Sequence, residues 1–247
     1  MDHDPIETHN RQGQFLTTRL DDLSVIRSGG DLAQEAIARF CRTYWMPVYC
    51  FVRKSGHSPE DAADITQSFL GRILEREDLK SFVPEKGRFR SWLLACLQRF
   101  MIDQWRSAHG VERRPDGGWL SLDAEEAETG YLNELLDSES PDRAFDRQWA
   151  LVFFDGVLRQ LERECRAEGN LELFEHLVAH LGGKSHTVSH EEAAHRMGKS
   201  VGSLKNELTV LRKRFANAAM SRLYRIFGNR QAAVDELKYL ISVASDS

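Results

Sequence analysis

The sequence predicts an all-α protein of two helical domains joined by an acidic linker. Three observations carry that reading. Apolar residues recur at three- and four-residue spacing almost throughout, no alternating strand pattern persists, and charge is segregated into blocks along the chain. The chain has 247 residues, 41% hydrophobic and 29% charged, which suits one large or two modest globular domains.

The elements follow in order. Residues 1–14 open with MDHDPIETHN, acidic and polar without an apolar core, so the expectation there is a disordered terminus and not a signal peptide. Ala33, Ile37, Phe40, Tyr44 and Val48 line one face of a first helix, which Pro47 is expected to kink or divide. Ser58-Pro59-Glu60-Asp61 starts the next helix: serine caps, proline suits the first turn, and the acids favour the positive end of the helix dipole. Ile65, Phe69 and Ile73 form its buried stripe. After a break at Phe82 to Gly87, a third helix runs through Trp92, Cys96, Phe100 and Trp105. These elements make a first domain over residues 15–109.

Residues 110–140 read as a linker, with Pro115, Gly117, Gly118 and a cluster of acids; its YLNELL patch can form a short docking turn. A second domain is expected over 141–215. Phe145, Trp149, Val152, Val157 and Leu161 are spaced for burial, and Leu171, Phe174, Leu177 and Leu181 give a helix stopped by Gly182-Gly183. Residues 216–247 form a helical extension with an Ala233, Leu237, Leu240 stripe, able to pack on the second domain or to bind a regulator.

Charge sharpens the picture. Pro115 to Asp142 holds nine acids and no Lys or Arg, whereas Lys80 to Arg114 holds eight basic residues and three acids. Arg196 to Arg230 holds nine basic residues against Glu207 alone. Two basic segments on either side of an acidic one predict two polyanion-facing surfaces on a tether. A net charge of −5 argues against nucleic-acid binding by the whole surface. No apolar run approaches a bilayer span, so no membrane insertion is expected. The four cysteines lie far apart without a CxxC pair, which suits a reducing, cytoplasmic setting.

The second basic segment contains a helix-turn-helix pattern. Ser189 and Glu192 form a capping box; Ala194 and Leu204 flank Gly198 at the spacing of two helices that touch across a tight turn. Ser200 caps the second helix, and Val201, Leu204, Leu208, Leu211 and Phe215 form its inner stripe. Its outer face then presents Ser203, Lys205, Asn206, Glu207, Thr209, Arg212, Lys213 and Arg214 to DNA. Asn206 suits adenine, Glu207 suits cytosine, and the basic run suits phosphates. In the first basic segment, KGRFRSWLLACLQRFMIDQWR interleaves aromatic rings with Arg88, Arg90, Arg99 and Arg106, as in proteins that hold single strands. Trp92 and Phe100 are read as core, and Trp105 with the arginines as contacts.

These residues also carry a resemblance. GHSPEDAADITQSFLGRILER and PEKGRFRSWLLACLQRFMIDQWR resemble region two of bacterial extracytoplasmic-function (ECF) sigma factors, and DRAFDRQWALVFFDGVLRQL with the helix-turn-helix resembles region four. FLTTRLDDLSVI and CRTYWMPVYCFVR are similar to a long-linker subgroup common in planctomycete-like bacteria. Together these cover most of residues 15–215. The resemblance implies a non-enzymatic subunit, without cofactor, that joins core RNA polymerase and directs it to promoter DNA. Asp61, Asp64, Gln67 and Phe69 match the face that binds the clamp coiled coil of the largest polymerase subunit, and region four implies a contact with the flap. Arg88, Arg90, Arg99, Trp105 and Arg106 fall in the stretch that melts and reads the −10 element. The helix from Val201 would enter the major groove at −35, and an anti-sigma or other regulator is a further implied partner. Ser68 stands where the family usually has an acid, and Glu207 and Thr209 replace positions often basic or His, so no promoter sequence carries over.

Two rivals remain. A helix-turn-helix transcriptional regulator acting without polymerase explains Val201 to Arg214 but leaves the acidic Asp61 to Gln67 face unexplained. A metalloenzyme is prompted by His176, His180, His186, His190 and His195. His176 and His180 are i,i+4 and can share a metal, but the five-residue spacing from His190 to His195 turns the second ring about 140° away on a helix. A zinc HExxH motif needs four, so no metal site is expected.

Overall fold

The computed structural model describes residues 25–26, 31–75, 78–83, 88–108, 128–129, 131, 140–181 and 188–245. Among them there is no strand, as the periodicity predicts. The expected disordered terminus at 1–14, most of the 110–140 linker, the Gly182-Gly183 stop and His186 lie outside the described residues.

The helices are α1 (Asp31–Lys54), α2 (Pro59–Glu75), α3 (Asp78–Ser81), α4 (Phe89–Ala108), α5 (Pro141–Ala167), α6 (Leu171–Leu181), α7 (His190–Arg196), α8 (Val201–Phe227) and α9 (Arg230–Ser245). They form two compact units. Among the described residues, the smaller takes in those from Asp155 to Ala218, and the larger those from Val25 to Phe154 together with those from Ala219 onward. The boundary therefore falls inside α5 and α8, whereas the sequence places it at 140/141 and 215/216. The C-terminal extension belongs to the same unit as α1–α4.

The larger unit is built on aromatic packing. Tyr44 meets Phe89 at 5.5 Å and Trp149 at 4.8 Å between ring centroids, and Phe69 meets Phe100 at 5.6 Å. Of the two expectations for Pro47, a kink or a division, the division does not occur: α1 continues through it. Proline inside a helix costs about 3 kcal/mol. Tyr44, Trp45, Val48, Tyr49 and Val52 are all buried around it, and each such side chain contributes about 1.5–3 kcal/mol. Packing wins. α2 starts as predicted: the Asp61 amide donates to Ser58 Oγ at 3.1 Å, and the Ser58 hydroxyl donates to the Asp61 carboxylate at 2.9 Å. Its buried stripe is Ala62, Thr66, Phe69, Leu70 and Ile73, with Ile65 only half-buried.

A piece of the linker docks on this unit. Glu128 accepts from both Arg53 Nε (2.9 Å) and Nη2 (2.8 Å) and from the Tyr49 hydroxyl (2.6 Å). The Arg53 guanidinium also covers the Tyr131 ring at 4.9 Å, and Tyr131 is buried. Hydrogen bonds from Arg53 hold the Glu128 carboxyl below the usual carboxylate range. Burial, then the neighbouring Glu128, pushes the Tyr49 hydroxyl up. Burial likewise pushes the Cys41 thiol up to about 11 and raises that of Cys165, away from the reactive thiolate.

The smaller unit packs Leu161, Cys165, Leu173, Phe174 and Leu177 against Ala193, Ala194, Leu204, Leu208 and Leu211. Ser189 caps α7 by accepting from the Glu192 amide at 3.1 Å. Gly198 follows α7 at φ +64°, and the Lys199 amide returns to the Ala194 carbonyl at 2.9 Å. Nothing lies within 4 Å of where a Gly198 Cβ would be, so backbone conformation alone calls for glycine there. Ser200 then caps α8, accepting from the Ser203 amide at 3.1 Å. α7 and α8 are thus joined by a tight turn at Gly198, with Ala193 and Ala194 buried beside it.

Candidate nucleic-acid interface

α4 carries the first candidate surface. At 100° per residue, Arg99, Ile102, Trp105 and Arg106 share about a third of the helix circumference, and all four are exposed. Trp105 is 67% exposed and Ile102 50%. An indole and a butyl group in water beside two guanidinium groups form a surface able to stack an unpaired base and track a phosphate backbone. Ile102 was not singled out in the sequence, because an apolar residue on a helix reads as core by default. Phe100 is buried as expected, and the Arg72 guanidinium lies over its ring at 5.4 Å.

Arg90 does not join that surface. It is only 6% exposed and pairs with Asp146 and, at 3.5 Å, with Glu236, while its guanidinium lies 4.7 Å from the Tyr239 ring centroid. The Tyr239 hydroxyl donates to the other Asp146 oxygen. The physical reason is register: Arg90, Leu93, Leu97 and Phe100 recur at three and four residues, so Arg90 sits on the buried stripe of α4. Arg88 is half-exposed and pairs with Glu236 at 3.0 Å. The extension predicted to pack on the second domain or bind a regulator instead supplies a buried carboxylate to these two arginines.

The acidic face of α2 is divided in the same way. Asp61 and Asp64 are exposed and Gln67 is half-buried, at i, i+3 and i+6 along one side. Phe69 is 1% exposed and packs in the core, so it is removed from the set that a partner can touch. It lies on the same stripe as Ala62, Thr66 and Ile73.

α8 presents the third surface. Ser203, Lys205, Asn206, Thr209, Arg212 and Lys213 are exposed and span about half the helix circumference. Opposite them lie the buried Leu204, Leu208 and Leu211. Val210, 58% exposed, belongs with the outward set and offers an apolar contact of the kind that suits a thymine methyl. Two predicted contacts are held internally. Glu207 receives Lys199 Nζ at 2.5 Å and the Ser203 hydroxyl at 3.1 Å, and Lys199 above all keeps its carboxyl below the usual range. Arg214 is clasped by Glu168 at 2.7 and 2.8 Å and by Glu164 at 3.0 Å, which tie α8 to the end of α5 and hold the guanidinium firmly charged.

In the smaller unit, His176, His180 and His190 bring one ring nitrogen each to within 4.8 Å of the others, the residues that can hold a metal there. The sequence pairs only His176 with His180 and rejects the His190–His195 spacing; the fold brings His190 to that pair, and His195 is exposed and outside the cluster.

Residues 40–110 match the family model for sigma-70 region 2. This segment is similar to sigma-70 region 2. The match takes in α1 from Phe40 onward and all of α2, α3 and α4. No curated protein and no solved structure matches the chain. The matched segment thus holds both the acidic face of α2 and the arginine–tryptophan face of α4. Among the described residues no helix is long and apolar enough to cross a membrane.

Proposed function

We propose that the chain is a sigma factor of the extracytoplasmic-function, long-linker type, acting in the cytoplasm. It binds core RNA polymerase through Asp61, Asp64 and Gln67 and opens the −10 element with Arg99, Ile102, Trp105 and Arg106. The observation that carries the reading is the opposition of these two exposed faces within one region 2 segment. An acidic helix face suits a basic protein surface, whereas exposed indole and guanidinium groups suit bases leaving the stack. Opening then proceeds on binding energy, without covalent catalysis.

The outward face of α8 is the −35 reader, with Asn206 and Val210 toward base edges and Lys205, Arg212 and Lys213 toward phosphates. The acidic linker of 110–140, outside the docked Glu128 to Tyr131 piece, is the like-charged segment that crosses the polymerase cleft until RNA displaces it.

Titration of labelled full-length protein into bacterial core RNA polymerase tests the reading. Saturable binding that Asp64→Arg with Gln67→Ala removes, while circular dichroism is unchanged, is expected. Absence of binding at micromolar protein overturns it and leaves a helix-turn-helix regulator that acts on duplex DNA alone.

A further inference from the structure

We propose that His176, His180 and His190 form a binding site for one divalent transition-metal ion of the zinc class, which pins α6 to the first residue of α7. His176 and His180 lie one turn apart on α6, so both rings face the same side. The chain then returns to place His190, the first residue of α7, against them. Ring centroids are 4.3 Å apart for His176–His180, 5.1 Å for His176–His190 and 4.7 Å for His180–His190.

The nitrogen geometry is that of a site and not only of ring packing. His176 Nε2 faces His190 Nδ1 at 2.9 Å. In neutral rings one hydrogen lies between these atoms, and a metal takes its place when the donor ring passes to its other tautomer. His180 Nδ1 donates to the His176 carbonyl at 2.8 Å, which leaves the lone pair on His180 Nε2. A backbone partner on the second nitrogen is the usual way a ligating imidazole is oriented. Ligands around zinc at about 2.0–2.1 Å stand about 3.4 Å from one another. Small side-chain rotations close a cluster already within 4.8 Å to that spacing.

The surroundings fit an imidazole-only set. His176 is 5% exposed, so the ring is largely shielded from water. Arg196, whose charge also bears on His176, is itself paired with Glu172 at 3.7 Å. Glu191, on the same turn as His190, adds negative charge beside it. Three neutral imidazoles with an open fourth position suit Zn²⁺, and the related Co²⁺, over Mg²⁺ or Ca²⁺, which take oxygen ligands. The inference stands independently of the sigma-factor reading.

The test uses untagged, full-length protein freed of metal and titrated with zinc chloride by calorimetry. One zinc per chain, a rise in Tm, and at least tenfold weaker binding in both His180→Gln and His190→Gln are expected. His176 is left intact because its burial makes substitution a folding perturbation. Unchanged zinc affinity in either variant overturns the proposal, as does the absence of binding at zinc in large excess over protein. The unsubstituted chain gives a second readout, free of folding effects. Zinc is expected to move the imidazole resonances of His176, His180 and His190, and shifts confined to other histidines overturn the site.

Discussion

Arg88, just before α4, pairs with Glu236 of the C-terminal helix at 3.0 Å, and the same carboxylate reaches Arg90 at 3.5 Å. Glu236 is buried and closes a network that includes Asp146 and Tyr239. The last helix is therefore part of the larger unit's core, and one of the two arginines is withdrawn from any ligand.

Glu236→Ala leaves Arg90 with half of its counter-charge in a buried site. Breaking a buried pair from one side costs about 3–5 kcal/mol. Arg88→Ala removes only a half-exposed partner and costs less than about 1 kcal/mol. Urea denaturation of the two variants should separate them by at least a factor of three in lost stability; equal losses would show that Arg90 does not depend on Glu236.

Glu128→Gln should weaken the protein at neutral pH by about 2 kcal/mol, the scale of hydrogen bonds to a charged group. The Glu128 carboxyl is lower in the folded state, chiefly through Arg53. Its contribution is complete above the ordinary Glu pKa of about 4.3, and is lost as pH falls through the lower folded value. The variant should therefore show a flatter fall in stability between neutral and strongly acid pH. A parallel curve, merely displaced, would mean that the Glu128 charge is not what docks this part of the linker.

Trp105→Ala should leave the fold almost untouched, within about 0.5 kcal/mol, because the ring is largely exposed. Loss of one base-stacking contact should slow promoter opening roughly tenfold, with a smaller effect on closed-complex formation. Stopped-flow opening kinetics against equilibrium closed binding gives the comparison, and equal effects would remove Trp105 from the melting step.

Lys205→Ala should weaken −35 binding about equally across sequences and reduce the salt slope by about 1. Arg214→Ala should behave differently. Its guanidinium is engaged by Glu164 and Glu168, so the expected result is a lower Tm with the salt slope nearly unchanged. A slope change in Arg214→Ala as large as that in Lys205→Ala would mean that DNA displaces the two glutamates.

The sequence by itself determined the elements whose signals are local. Helical periodicity, the Ser58 and Ser189 caps, the Gly198 turn and the buried stripe of α8 depend on residues within two turns of one another, and each is found where expected. The outward positions Asp64, Arg99, Trp105, Lys205 and Asn206 were legible for the same reason: the face opposite a buried stripe is exposed. The tertiary structure decided what depends on residues distant in the chain. Arg90 and Phe69 carry chemistry that suits a ligand, yet their register places them in the core, and the buried guanidinium requires the carboxylates that α5 and α9 bring. Pro47 stays within a helix because packing around it outweighs a missing hydrogen bond. His190 meets His176 and His180 only after the chain turns back on itself, a relation to which helical spacing is blind.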